Sequence, residues 1–93
     1  MKYVIERTTQ FKKDFKLAER QGLDVSELKE VVQLLANGET LPAEYRDHEL
    51  KGKYVGFREC HIEPDWLLIY KISESVLVLS LVRTGSHSRL FKM

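Results

Sequence analysis

The chain has 93 residues, 43% of them hydrophobic and 31% charged, and it carries a net charge of +1. This length predicts one domain over residues 1–93, and the hydrophobic fraction excludes a disordered chain. The longest apolar runs, 66–70 and 76–79, fall far short of the ~20 residues of a membrane helix, so we expect a cytoplasmic protein without a membrane partner.

The first half of the chain predicts a strand followed by two helices. Residues 2–7 alternate as in a short strand, and either threonine at 8–9 can cap a helix whose apolar side chains recur every three to four residues. Gly22 ends that helix. Asp24 can cap a second helix, which stops at the Asn-Gly pair at 37–38. The pattern therefore predicts two antiparallel helices joined by a tight turn.

The second half of the chain predicts a loop followed by three strands. The segment 39–53 is rich in charges, whereas 54–62, 66–73 and 76–83 have the composition of strands. The last of these is apolar on both alternating faces apart from Ser80, which is typical of an interior strand. The order β-α-α-β-β-β predicts an α+β fold of two layers, in which a helix hairpin packs on one face of a mainly antiparallel sheet.

A set of polar and aromatic side chains is predicted to meet at one edge of this sheet. In an antiparallel meander, the end of strand 54–62, the turn at Asp65 and the end of strand 76–83 lie at the same edge. The loop that carries His48 must fold inward for that side chain to join them. The set consists of His48, His61, Asp65, Arg83, His87 and Phe91.

The histidine spacing argues against a metal site. His48, His61 and His87 are 13 and 26 residues apart, which matches no compact zinc pattern. The single cysteine, Cys60, can form neither an internal disulfide nor a Cys-x-x-Cys site. Neighbouring strand residues point to opposite faces, so Cys60 and His61 cannot act as a nucleophilic pair. We expect Cys60 to be a small buried hydrophobic residue, and we expect no metal and no cofactor.

General acid–base chemistry on RNA is the hypothesis that these side chains fit best. Cleavage of RNA by its own 2′-hydroxyl needs a base, an acid for the departing 5′-oxygen and cations for the charge that develops on the phosphate. Histidine serves either proton role near neutral pH, Arg83 suits the phosphate, and an aromatic ring can stack a nucleobase. From the residues alone, this stays one hypothesis among several.

Three segments, 41–52, 56–71 and 83–91, resemble the YafQ branch of the RelE-like bacterial toxins. The most specific motifs are His-x-Glu-Pro-Asp-Trp at 61–66 and Arg-Thr-Gly-x-His at 83–87. The resemblance implies the same β-α-α-β-β-β fold and the toxin of a type II toxin–antitoxin system. Such a toxin is a ribosome-dependent mRNA endonuclease, and a cognate antitoxin neutralises it. The implied partners are therefore the antitoxin, the ribosome and mRNA, with operator DNA bound only through the antitoxin complex.

The resemblance also implies roles for individual residues. We prefer His87 as the general acid. Asp65 and one of the other two histidines then lie around the 2′-hydroxyl, and the sequence does not apportion acid and base further. The residues implicated in proton transfer and positioning are His48, His61, Asp65 and His87, with Phe91 for substrate placement and Arg83 for the phosphate.

Three further basic residues are predicted to contact ribosomal or messenger phosphates, with a solvated basic face as the alternative. They are Lys51, Lys53 and Arg58. Trp66 is expected to be partly structural and to pack beside the site.

Two other classes of protein stay open. One is a ParE-like toxin, which has the same fold but acts on DNA gyrase; it stays open because fold does not determine function. Such a toxin would not need three convergent histidines. The other class acts mainly as an operator-binding repressor with its antitoxin. The chain has no helix-turn-helix or zinc-finger signature, so in that class DNA contact would come mainly from the partner.

Overall fold

The computed structural model describes residues 1–91, which form a five-stranded sheet with helices on it. The strand order is β1-β5-β4-β3-β2, and every neighbouring pair is antiparallel except β1 and β5. Within residues 1–91, no helix is both long and apolar enough to cross a membrane. The elements are β1 (Val4–Arg7), α1 (Thr9–Arg20), α2 (Val25–Ala36), β2 (His48–Glu49), β3 (Arg58–Glu63), β4 (Trp66–Ser73), β5 (Val78–Gly85) and α3 (His87–Phe91).

Helices α1 and α2 begin and end where the local signals predict. Thr8 caps α1, since its side-chain oxygen accepts the backbone N–H of Phe11 at 2.9 Å. Asp24 caps α2 through the backbone N–H of Ser26 at 3.1 Å. Gly22 has a φ of +78°, a left-handed conformation that glycine adopts without steric cost, and the chain turns there between the two helices.

The main core lies between the helix pair and one face of the sheet. The apolar stripes of α1 and α2 pack there against alternate side chains of β3, β4 and β5. Cys60 belongs to this core and is fully buried, and burial raises the pKa of its thiol, so the prediction of a small buried hydrophobic residue is confirmed. The other face, which we call the open face, carries a smaller cluster built on Leu67, Ile69 and Leu90.

The predicted α+β class and helix hairpin are confirmed, but several boundaries differ. The segment 54–57 is not strand, because it forms a short 3-10 turn and a loop in which Gly56 has a φ of +91°; β3 begins only at Arg58. Strand β5 starts two residues later than expected, since Leu77 takes a φ of +53° in the preceding turn. The predicted loop 39–53 also contains β2, which adds a fifth strand to the sheet.

Candidate active site

Two histidines meet on the open face around a buried carboxylate. The β2–β3 register puts His48 directly opposite Glu59, and His61 is two residues further along β3, so the three side chains lie on one face. Each imidazole Nε2 is 3.5 Å from Oε1 of Glu59, and the ring centroids are 6.3 Å apart. Strand pairing, rather than an inward-folding loop, therefore brings His48 to His61.

The other ring nitrogen of each histidine is already occupied. His48 Nδ1 lies 2.8 Å from the carbonyl oxygen of Arg46, and His61 Nδ1 lies 3.3 Å from that of Pro64. A carbonyl oxygen only accepts hydrogen bonds, so both contacts favour the tautomer that carries its proton on Nδ1. In both rings, Nε2 is then the atom that can take up or release a proton, and both Nε2 atoms lie beside Glu59.

Sequence reasoning missed Glu59. This residue is only 4% exposed, and it is one of three buried polar or charged side chains in the described part of the chain. The signal was available: Cys60 points into the main core, so both of its neighbours must lie on the opposite face. That alternation groups Glu59 with His61.

A second group forms where the β3–β4 turn meets α3. A carboxylate oxygen of Asp65 accepts the backbone N–H of His87 at 3.0 Å. His87 is the first residue of α3, two residues after the end of β5. Its ring centroid is 4.8 Å from that of Phe91, one helical turn later. Asp65 thus fixes the main chain that carries His87 and leaves the imidazole free.

The two groups lie on neighbouring strands. His61 pairs with Leu67 of β4, and Leu67 pairs with Gly85 of β5, two residues before His87. Two strand spacings separate His61 from Gly85, which is about 10 Å. The sheet register therefore brings the ends of β3 and β5 to one edge, as the meander predicts.

Arg83, predicted to contact phosphate, is not a free cation. Its Nε is 2.8 Å and its Nη2 is 3.2 Å from the carboxylate of Asp14, which is buried on α1. Arg89 also contacts Asp14, at 2.7 Å, and the backbone N–H of Thr84 donates to it at 3.1 Å. Burial by itself would raise the pKa of Asp14, but the hydrogen bonds from Arg83, Gln10 and the backbone of Thr84 outweigh burial and lower it. A phosphate would have to share Arg83 with Asp14.

Asp14 was also missed from the sequence, although its spacing signals burial. It follows Phe11 by three residues and precedes Ala18 by four, so it lies within the apolar stripe of α1. A carboxylate buried in that stripe needs cationic partners.

The other basic residues predicted to contact phosphate differ in how accessible they are to RNA. Lys51 and Lys53 are exposed. Arg58, in contrast, is paired with Asp47 at 3.1 Å, which leaves it less available to RNA. Trp66 is buried, and its Nε1 donates to the hydroxyl of Thr84 at 2.9 Å. Trp66 therefore has the structural role that was expected for it.

No group of three or more His, Cys, Asp or Glu side chains within residues 1–91 is arranged to hold a metal ion. The expectation of metal-free and cofactor-free chemistry stays a prediction.

The fold and site together define a class: a small α+β protein with a helix hairpin on one face of its sheet and histidines on the other. Over residues 3–92 the chain matches the family described as bacterial toxin of type II toxin-antitoxin system, YafQ. The chain belongs to this family, which confirms the resemblance drawn from its motifs.

Individual proteins and structures to which the chain is similar support the same family. The chain is 46% identical over 88 residues to the mRNA interferase toxin YafQ of Escherichia coli K12, covering 94% of each protein. It superposes on the toxin of the E. coli DinJ-YafQ complex with a TM-score of 0.88 and 44% identity, covering 96% of this chain and 98% of that one. A metal-bound toxin from Helicobacter pylori gives a TM-score of 0.91 and 46% identity, covering 96% and 99%.

Proposed function

We propose that this toxin is an endoribonuclease that cleaves mRNA on the ribosome by metal-independent general acid–base catalysis. Its family and its 46% identity to a curated mRNA interferase support the nuclease activity over a gyrase-directed toxin or a co-repressor. The observation that carries the mechanism is the pair of histidine Nε2 atoms beside Glu59, together with the exposed His87 near the same sheet edge.

The reaction needs one proton removed and one delivered. Nε2 of His48 or His61 takes the proton of the 2′-hydroxyl, whose oxygen then attacks the adjacent phosphorus. The bond from phosphorus to the 5′-oxygen breaks, and His87 protonates that oxygen. The products are a 2′,3′-cyclic phosphate and a 5′-hydroxyl end. Phe91 orients the substrate, and Arg83 stabilises the charge on the phosphate while it shares its guanidinium with Asp14.

Cleavage is expected to depend on the ribosome, because we expect this chain to bind free RNA weakly. Its net charge is only +1, and two of its predicted phosphate contacts, Arg58 and Arg83, are already paired with carboxylates. The ribosome would present the messenger and remove the cost of orienting it, so we expect cleavage to be at least about 100-fold faster on programmed ribosomes. This action would lie in the cytoplasm.

The measurement is single-turnover cleavage of one mRNA, naked or bound to translating ribosomes, at equal toxin concentration. His87→Gln run in parallel reports any contaminating nuclease. Equal rates on naked and ribosome-bound mRNA would refute ribosome dependence.

We further propose that a cognate antitoxin partner occupies the groove between α1 and α2. The solved DinJ-YafQ complexes, in which a toxin of the same family is bound to its antitoxin, support such a partner. Any contact with operator DNA then comes through that partner. The groove floor is apolar, and its rim carries four cations against Glu19, which favours an acidic amphipathic segment. The floor and rim residues are Phe11, Phe15, Leu28, Val32, Arg7, Lys12, Lys16 and Lys29.

Reversing two rim charges should weaken antitoxin binding without affecting cleavage. We expect Lys12→Glu combined with Lys16→Glu to raise the antitoxin Kd about tenfold or more, because like charges then face the acidic segment. The matched control, Lys2→Glu with Lys13→Glu, changes the net charge equally but lies outside the groove lining. Titration by calorimetry measures both. Equal losses in the two double variants would show that net charge, not the groove, sets the affinity.

A further inference from the structure

Four rings follow one another along the open face, from the β2–β3 connection to α3. The centroid of Phe57 is 6.0 Å from that of Tyr54, and Tyr54 is 5.7 Å from Phe91, both in edge-to-face geometry. Phe91 in turn lies 4.8 Å from His87. We call Phe57, Tyr54 and Phe91 the aromatic row; it ends at the proposed general acid.

The aromatic row is only partly used for packing. All three rings are half-buried, with one side against Leu67, Ile69 and Leu90. Their remaining surface therefore stays available to a planar ligand.

Cations accompany the aromatic row. The ammonium of Lys53 lies 5.5 Å from the centroid of Tyr54, and that of Lys71 lies 5.4 Å from the centroid of Phe57. Both lysines are exposed, so their long side chains can move from the ring faces to nearby phosphates. Half-open aromatic rings flanked by cations are the features that bind single-stranded nucleic acid without reading its sequence.

We propose that Tyr54 and Phe57 extend the substrate site as a stacking platform for nucleobases of single-stranded mRNA beside the scissile phosphate. Lys53 and Lys71 neutralise the backbone of the stacked nucleotides. The inference rests on the proposed nuclease function, because the position of His87 at the end of the row fixes which nucleotides stack. A base on Tyr54 or Phe91 lies next to the bond that His87 helps to break.

The kinetic test separates binding from chemistry. Single-turnover cleavage on programmed ribosomes, measured against toxin concentration, gives a half-saturating concentration and a maximal rate. We expect Tyr54→Leu to raise the half-saturating concentration about tenfold, since it loses one stacked base, and to leave the maximal rate within about threefold. Tyr54→Phe keeps the ring and should behave as wild type. The matched control is Leu34→Ala, a half-buried apolar side chain on the helix side and outside the groove lining, which should change neither quantity.

A direct probe is an mRNA on programmed ribosomes that carries 2-aminopurine next to the scissile position and a 2′-O-methyl group at that position. Stacking on the platform should quench its fluorescence with wild-type protein and with His87→Gln, and Tyr54→Leu should reduce the quenching. Thermal unfolding of every variant accompanies both measurements.

Three outcomes would overturn the platform. The first is that Tyr54→Leu leaves both the half-saturating concentration and the quenching unchanged. The second is that Tyr54→Leu lowers the maximal rate alone. The third is that Tyr54→Leu and Phe57→Leu both lower Tm, while Phe57→Leu does not weaken binding. If wild-type protein quenches the probe but does not cleave ribosome-bound mRNA, the proposed function fails while the platform stands.

Discussion

Replacing His87 by Gln is expected to slow single-turnover mRNA cleavage by about 10²–10⁴-fold, the usual cost of losing a general acid. Glutamine keeps a similar reach and its hydrogen bonds, but it cannot give a proton to the departing 5′-oxygen at neutral pH. The fold should tolerate the change. The His87 side chain is exposed, and the contact with Asp65 uses the backbone N–H, which glutamine retains.

The exposed position also limits the effect on stability. Surface substitutions of this kind change the free energy of unfolding by about 0.5 kcal/mol or less, so Tm should shift by only about 2–4 °C. Antitoxin affinity should not change, because the proposed groove lies on the other side of the sheet. Wild-type cleavage by His87→Gln would exclude His87 as the acid. A Tm far below wild type would give it a structural role instead.

Phe91→Ala is the informative companion variant. It removes a ring that contacts His87 and Tyr54 but no proton donor. We therefore expect Phe91→Ala to weaken substrate placement and so to raise the half-saturating toxin concentration. His87→Gln, in contrast, should lower the maximal rate.

Replacing Asp14 by Asn is expected to cost about 3 kcal/mol of unfolding free energy, at the low end for breaking a buried ion pair because both arginines are partly exposed. For a chain of this size that loss lowers Tm by about 12 °C or more. Asp14 joins α1 to the end of β5 and, through Arg89, to α3. The variant should therefore also loosen the helix that carries His87.

The dependence on pH gives this prediction a second readout. Since the pKa of Asp14 is lowered in the folded protein, its contribution to stability is present above its ordinary pKa of about 4 and is lost as the pH falls through the folded value. The difference between wild type and Asp14→Asn should thus be full at pH 7 and shrink below about pH 4. Urea unfolding at pH 7 and pH 3 measures it.

The exposed Glu19 on the same helix supplies the control. Glu19→Gln should change the free energy of unfolding by about 0.5 kcal/mol or less at either pH. An Asp14→Asn variant that is as stable as this control at pH 7 would show that the ion pairs of Asp14 with the two arginines do not stabilise the fold.

Local chemistry was enough to predict both long helices and four of the five strands of the sheet. Thr8 and Asp24 cap their helices through backbone atoms two or three residues away, and Gly22 supplies a conformation that only the adjacent turn needs. Strand β4 (Trp66–Ser73) has the predicted bounds, because its apolar pattern and the turns on both sides are local signals. The motifs at 61–66 and 83–87 likewise identified the family from consecutive residues.

Contacts between residues that are distant in sequence could not be predicted from such local signals. Strand β2 has only two residues and no signature of its own, since it exists by pairing with β3; this pairing brings His48 to Glu59. Helix α3 begins at His87, whose N–H is held by Asp65, 22 residues earlier.

Patterns of neighbouring residues were sufficient for the α+β class, the helix hairpin, the family and the histidines that carry the proposed chemistry. Which charged side chains remain available to the substrate depends on contacts between distant parts of the chain. The tertiary structure pairs Arg83 with Asp14 and Arg58 with Asp47, and it leaves His87 exposed. The physical reason is that burying a charge is costly unless a partner of opposite charge is buried with it, and strand register and helix packing select that partner from anywhere in the chain.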